Sequence, residues 1–223
     1  MALTAAADIG PYFALHGDPA AVTLSHRRLC EPQRLHSLLS AIGERIGTRE
    51  GRVAASTLQY GLAARYWSLV LGAWRFGELV IDLRGLGYVH TAPDSVELTL
   101  TDVRAWDCTS FAADEVAELI VDTVAAQLTN LHTALRTVTR IADGLLWGNA
   151  ASALVTAAHT VDVRRPSGEL TAVTTAIRSH PLLSDRMVTT STGGVRRRSC
   201  CLWYRTLDRT NCGDCPLTGR RAG

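Results

Sequence analysis

The chain contains no lysine: all 23 of its basic residues are arginine. Together with abundant alanine this follows the codon usage of a GC-rich genome, although arginine clusters keep functional weight because the guanidinium forks onto carboxylates and phosphates. A long hydrophobic run is also missing. The most apolar stretch, residues 66–74, falls far short of the roughly 20 residues that cross a bilayer. Residues 1–10 lack a basic start followed by an apolar run, and Asp8 interrupts them, so no secretory signal is expected. These absences point to a cytoplasmic protein without a transmembrane segment, and leave peripheral membrane contact compatible with the sequence. The formal net charge of +2 excludes a nucleic-acid binder held by bulk electrostatics. No flavin or dinucleotide fingerprint is present either, since Gly85-x-Gly87 lacks the rest of that motif.

The chain does have a filled interior to build. With 223 residues and 47% hydrophobic content, it can form one core with a small appended module, and not two full-sized domains. Leu35, Leu38, Leu39, Ile42 and Ile46 recur at helical spacing within residues 31–47, with Pro32 suited to the first turn and Gly47 to the stop. A longer helix is predicted over 52–74, with aromatic Tyr66, Trp67 and Trp74 in its second half and a sheet as its expected partner. Aromatics at this spacing read as core. Residues 78–83, 88–90 and 96–103 read as three short antiparallel strands, the last alternating strictly. Helices are predicted over 114–141, 145–161 and 167–178, and a short one over 181–185. The fold class is therefore α+β, mostly α-helical with one small antiparallel β-sheet. Residues 189–194 read as a linker, dividing a helical domain at 1–190 from a C-terminal segment at 191–223.

That segment carries the chemistry. Four of the six cysteines, Cys200, Cys201, Cys212 and Cys215, form a Cys-Cys-x10-Cys-x2-Cys array. In a reducing compartment such density favours metal binding over disulfides. The Cys212-Gly213-Asp214-Cys215 turn lets two thiolates converge on one ion, with Gly213 permitting a tight backbone whose amides point at the sulfurs. The adjacent pair is harder to place. Neighbouring side chains of an extended segment point to opposite faces, so a kink is required at Cys200-Cys201. Two bridged irons ease that geometry, but spacing alone leaves structural zinc and a [2Fe–2S] cluster level. A thioredoxin-like pair fits less well, because Cys212 does not follow a strand of a βαβ unit. Cys30 and Cys108 read as small buried hydrophobes, and the seven histidines share no spacing.

The stretch Arg197-Arg198-Ser199-Cys200-Cys201-Leu202-Trp203-Tyr204-Arg205, followed by Cys212-Gly213-Asp214-Cys215, resembles the C-terminal signature of the FhuF-like ferric-siderophore reductases. Weaker echoes lie in Leu145-Leu146-Trp147-Gly148-Asn149 and Tyr60-Gly61-Leu62. The resemblance implies a [2Fe–2S] cluster on Cys200, Cys201, Cys212 and Cys215, and one-electron reduction of ferric siderophore iron to ferrous iron. The ferric ion is a hard cation locked by oxygen ligands that hold the ferrous ion far more weakly. The electron must then come from outside, from a donor such as a ferredoxin or a reductase. Arg196, Arg197, Arg198, Trp203, Tyr204 and Arg205 are the residues expected to dock substrate or partner, with Arg209, Arg220 and Arg221 adding to the positive surface. The competing readings are a zinc-stabilised binding protein and an iron–sulfur carrier or sensor that does not act on siderophores.

Overall fold

The computed structural model describes residues 2–17, 21, 23–102, 104–190 and 194–218. After a short helix α1 (Ala2–Ala7) and a 3-10 turn (Pro11–Phe13), strand β1 (Thr23–Ser25) leads into one turn of helix, α2 (His26–Leu29). Helix α3 (Pro32–Ile46) starts on its proline and stops where Gly47 takes φ 66°, the left-handed value glycine adopts without steric cost. Helix α4 (Gly51–Gly77) is apolar on nearly all sides and runs through the centre of the molecule, as such a helix must.

The expected partner of α4 was a sheet; its most extensive contact is instead helix α6 (Asp143–Arg164). Small residues explain the pairing. Ala150, Ala151, Ala153 and Ala157 on α6 are buried, which lets the two helices approach closely, and the Trp67 indole N–H donates to the Ala150 carbonyl at 3.0 Å. Trp67 and Trp74 are core residues, as their spacing predicted. Helix α5 (Ala113–Val138) and helix α7 (Gly168–Ser179) complete the helical body. The Glu115 carboxylate accepts from the Ala112 backbone N–H at the start of α5, where the helix dipole favours negative charge.

The strands form three small antiparallel sheets among the described residues, where one was expected. Strands β3 (Leu86–Ala92) and β4 (Ser95–Leu100) pair with β1 as β1-β3-β4. Strand β2 (Leu79–Ile81) separates from them to pair with β5 (Ala105–Asp107). The turn at Leu83–Gly85 causes the split: the Asp82 carboxylate accepts from the Arg84 backbone N–H and redirects the chain before β3 begins. Residue Val103, read as the end of the third strand, lies outside the described residues. Residues 181–185 form consecutive turns and not the short helix expected, ending at Asp185 with φ 58°.

The tail begins as a hairpin. Strand β6 (Met187–Thr189) pairs with β7 (Val195–Arg197) across the loop read as a linker, of which residues 191–193 lie outside the described residues. The chain then passes over α6 at Gly148, where a Cβ would collide with the Ser199 hydroxyl. An alanine there would press on the Ser199 side chain, one residue before the first cysteine, and force its hydroxyl to move. At Gly61 on α4, by contrast, a Cβ would meet nothing.

These two glycines give opposite predictions. Gly61→Ala should stabilise the fold by about 0.5–1 kcal/mol, the ordinary gain for removing a helix-interior glycine. Gly148→Ala should cost about 1–3 kcal/mol through overpacking, and adding Ser199→Ala should recover most of that loss. Urea unfolding of the four chains measures both; a Gly148→Ala variant as stable as Gly61→Ala would contradict the packing described.

Candidate metal centre

The cysteine segment is fastened to the helical body by one buried side chain. Arg197, the last residue of β7, is 2% exposed, and all of its guanidinium nitrogens are engaged. Its Nε lies 3.0 Å from both Asp214 carboxylate oxygens. Nη1 donates to Asn149 Oδ1 at 2.7 Å, and Nη2 to the Ser152 hydroxyl at 2.6 Å. Its backbone N–H donates to the Asp214 carbonyl at 3.1 Å, and its guanidinium carbon stands 5.6 Å from the centre of the Tyr60 ring. Burial opposes the charge on Arg197, but the hydrogen bonds and charge of Asp214 outweigh it and hold the guanidinium pKa above its ordinary value. Burial likewise pushes the Asp214 carboxyl up, and Arg197 overcomes this to hold it below the usual carboxylate range.

The network continues to the cysteines. Asn149 Nδ2 donates to the Ser56 hydroxyl at 3.0 Å and to the Ser56 carbonyl at 3.2 Å, and the Ser56 hydroxyl donates to the Cys201 carbonyl at 2.7 Å. Helices α4 and α6 therefore grip both cysteine pairs, one through Ser56 and the other through Asp214. The required kink at Cys200-Cys201 is present one residue later. Leu202 takes φ 69°, and a 3-10 turn at Trp203–Arg205 follows. This turn aims the Leu202 N–H at Cys200 Sγ, 3.3 Å away.

Gly213 does not play the part expected of it. Only Gly10 and Gly47 among the described glycines have positive φ, and a Cβ at Gly213 would meet nothing. The amide donors to sulfur come instead from Leu202 and from Leu217, whose N–H lies 3.4 Å from Cys215 Sγ. The two thiols in hydrogen-bond contact are also not those of Cys-x-x-Cys: Cys201 Sγ and Cys212 Sγ are 3.4 Å apart. That hydrogen bond is the main cause by which the Cys201 thiol is lowered to about 6 and the Cys212 thiol is raised, the two sulfurs sharing one proton. Burial raises the Cys200 thiol. Cys215 is buried, while the other three are half-buried. Among the described residues, no three His, Cys, Asp or Glu side chains close on a single-ion site. The donor set suits a cluster nonetheless: four thiols on two short segments, two of them already met by backbone N–H groups, with a buried cation behind them.

A cavity of about 610 Å³ opens beside the Cys201–Cys212 pair. Its wall includes Tyr12, Arg45, Tyr60, Thr156 and Trp203. Trp203, expected to dock substrate, is thus at the cavity. Tyr204 and Arg205 lie on the outer side, with Arg205 Nε donating to the Tyr204 hydroxyl at 2.9 Å and its Nη1 to Glu50 at 2.7 Å. Arg196 is half-buried, Arg198 and Arg209 are exposed, and Arg220 and Arg221 lie outside the described residues. Arg197 is not a surface charge at all, because every donor of its fork faces the protein. Sequence reasoning missed Ser56, Asn149, Ser152 and Asp214. The signal that could have found the first three was a few polar side chains inside two otherwise apolar helices.

Removing one partner of a buried pair leaves the other charge uncompensated, so Arg197→Met should cost about 3–5 kcal/mol and release the tail. A loss under about 1 kcal/mol in urea unfolding would contradict the anchoring role. In the apo chain, the unfolded Asp214 carboxyl protonates near the ordinary 3.8 and the folded one lower. The stability it contributes is therefore present above pH 3.8 and lost as pH falls through the folded value. Asp214→Asn should remove this component from the acid-unfolding profile.

Among the described residues, no helix is long and apolar enough to cross a membrane. No curated protein matches the chain. Residues 197–217 match the FhuF 2Fe-2S C-terminal domain family, a span that begins on the buried arginine and contains all four cysteines. The segment folded around Arg197 is thus a C-terminal motif of the FhuF type, and its cofactor is a [2Fe–2S] cluster.

Proposed function

We propose that the chain reduces the iron of a ferric siderophore by one electron and so releases ferrous iron in the cytoplasm. In this reading Cys200, Cys201, Cys212 and Cys215 hold the cluster, which supplies a single electron when bound. The observation that carries the reading is the cavity whose wall contains two of the four cysteines. At about 610 Å³ it falls in the range of sites that enclose a small organic ligand, and a chelated metal seated there would lie beside the sulfur atoms.

The chain's own residues have separable parts. Trp203, Tyr60 and Tyr12 offer aromatic faces to the chelate, and the charge of Arg45 at the cavity wall is balanced by its pairing with Asp94. Arg197, Asn149 and Ser56 hold the two cysteine segments in fixed relation, which limits the rearrangement needed when an electron arrives or leaves. Arg196, Arg198 and Arg205 face outward near the cluster and suit an acidic electron donor such as a ferredoxin.

Chemically reduced protein mixed anaerobically with a ferric siderophore should recover its visible absorption while a ferrous chelator captures one iron per cluster. Failure of every siderophore class to reoxidise the protein faster than it reoxidises anaerobically without siderophore would leave an electron carrier or sensor as the better reading. Replacing Arg196 and Arg198 by Gln tests the donor face. A charge ~10 Å from the cluster contributes about 0.4 kcal/mol in water, so the potential should fall by roughly 20 mV per arginine. The salt dependence of reduction by the donor should weaken as well, and no change in either would remove these two residues from the scheme.

A further inference from the structure

The spacing of Cys212-x-x-Cys215 lets those two thiols converge on one ion, yet the fold gives them different surroundings. Asp214, between them, is pinned to Arg197. On one side of that anchor Cys212 reaches the cavity wall; on the other Cys215 is buried, 2% exposed, under the Leu217 N–H. The adjacent pair is split in the same way. Cys201 lines the cavity with its carbonyl tied to Ser56, whereas the left-handed turn at Leu202 draws the sulfur of Cys200 back under its own N–H.

The thiols then meet across the two segments. Cys201 Sγ and Cys212 Sγ are 3.4 Å apart. Two thiolates bound at ~2.3 Å to one tetrahedral ion stand about 3.8 Å apart, so this pair needs only a small separation to share an iron. Cys200 and Cys215 are the two thiols left over, each met by the backbone N–H two residues further on, Leu202 at 3.3 Å and Leu217 at 3.4 Å. We infer that Cys201 and Cys212 bind one iron, on the cavity side, and that Cys200 and Cys215 bind the other. The inference rests on the ligand set proposed above. It adds a polarity: one iron faces the cavity, and the other is turned toward the interior and the Cys200 side.

Mössbauer spectra of oxidised, ⁵⁷Fe-loaded double variants test the pairing, because serine oxygen alters only the doublet of the iron it binds. In Cys201→Ser/Cys212→Ser about half of the iron should keep the parental four-sulfur doublet, whereas in Cys200→Ser/Cys201→Ser none should. Retention of half the parental signal in Cys212→Ser/Cys215→Ser, with its loss in Cys201→Ser/Cys212→Ser, would overturn the inference. Should these variants fail to hold iron, the apo parental chain decides the matter. One equivalent of diamide accepts the two electrons and two protons released as two thiols join. Peptide mapping should then find chiefly a Cys201–Cys212 bridge, and a dominant Cys212–Cys215 bridge would contradict the assignment. A parental chain that assembles no cluster would instead overturn the ligand reading on which the pairing stands.

Discussion

The site depends on one ion pair, between Arg197 and Asp214, made where neither side chain can reach bulk water freely. Such a pair is costly to bury unless its remaining donors are satisfied. Here they are, by Asn149 and Ser152 from α6. The same asparagine bonds Ser56 of α4, and Ser56 bonds the Cys201 carbonyl. Two largely hydrophobic helices thus direct three buried polar side chains, Ser56, Asn149 and Ser152, to the segment bearing the cysteines. Without the pair, the cysteine segment would keep its contacts at Ser56, Glu50 and Ile46 but lose the deeply buried side-chain anchor of Arg197.

This arrangement separates two roles that a run of three arginines leaves merged. Arg197 points inward, where its charge is balanced by Asp214 and its geometry positions the cysteine loops. Arg198 points outward and Arg196 stands between. Alternation along β7 produces that division, with Arg197 on the face turned to α6. The cavity beside Cys201 and Cys212 is consequently close to neutral on its protein side, since Arg45 is also paired. An electron donor approaching the outer arginines and a chelate entering the cavity would not compete for the same surface.

Much of this was legible in the sequence, for definite reasons. Helical periodicity located α3 and α5, whose apolar stripes are clear, and the cysteine spacing located the site. The partner of α4 was not legible, because a helix apolar on every side does not say which side meets what. The pairing of β2 with β5 was missed because the turn at Asp82 depends on one side-chain-to-backbone hydrogen bond within a continuous apolar run. Asn149 was visible only as part of a short echo, and its role needed Arg197 from 48 residues away. The required kink beside Cys200-Cys201 was foreseen; its source, a leucine in the left-handed region where glycine would be the ordinary choice, was not.

The central claim is that an electron stored at these four cysteines reaches iron held in a siderophore. The direct measurement uses ⁵⁷Fe confined to the siderophore and natural iron in the protein. After anaerobic mixing with the reduced protein, Mössbauer spectroscopy should show the label converted from ferric to high-spin ferrous, one equivalent per cluster oxidised. A label that stays ferric while the protein remains reduced would contradict the account.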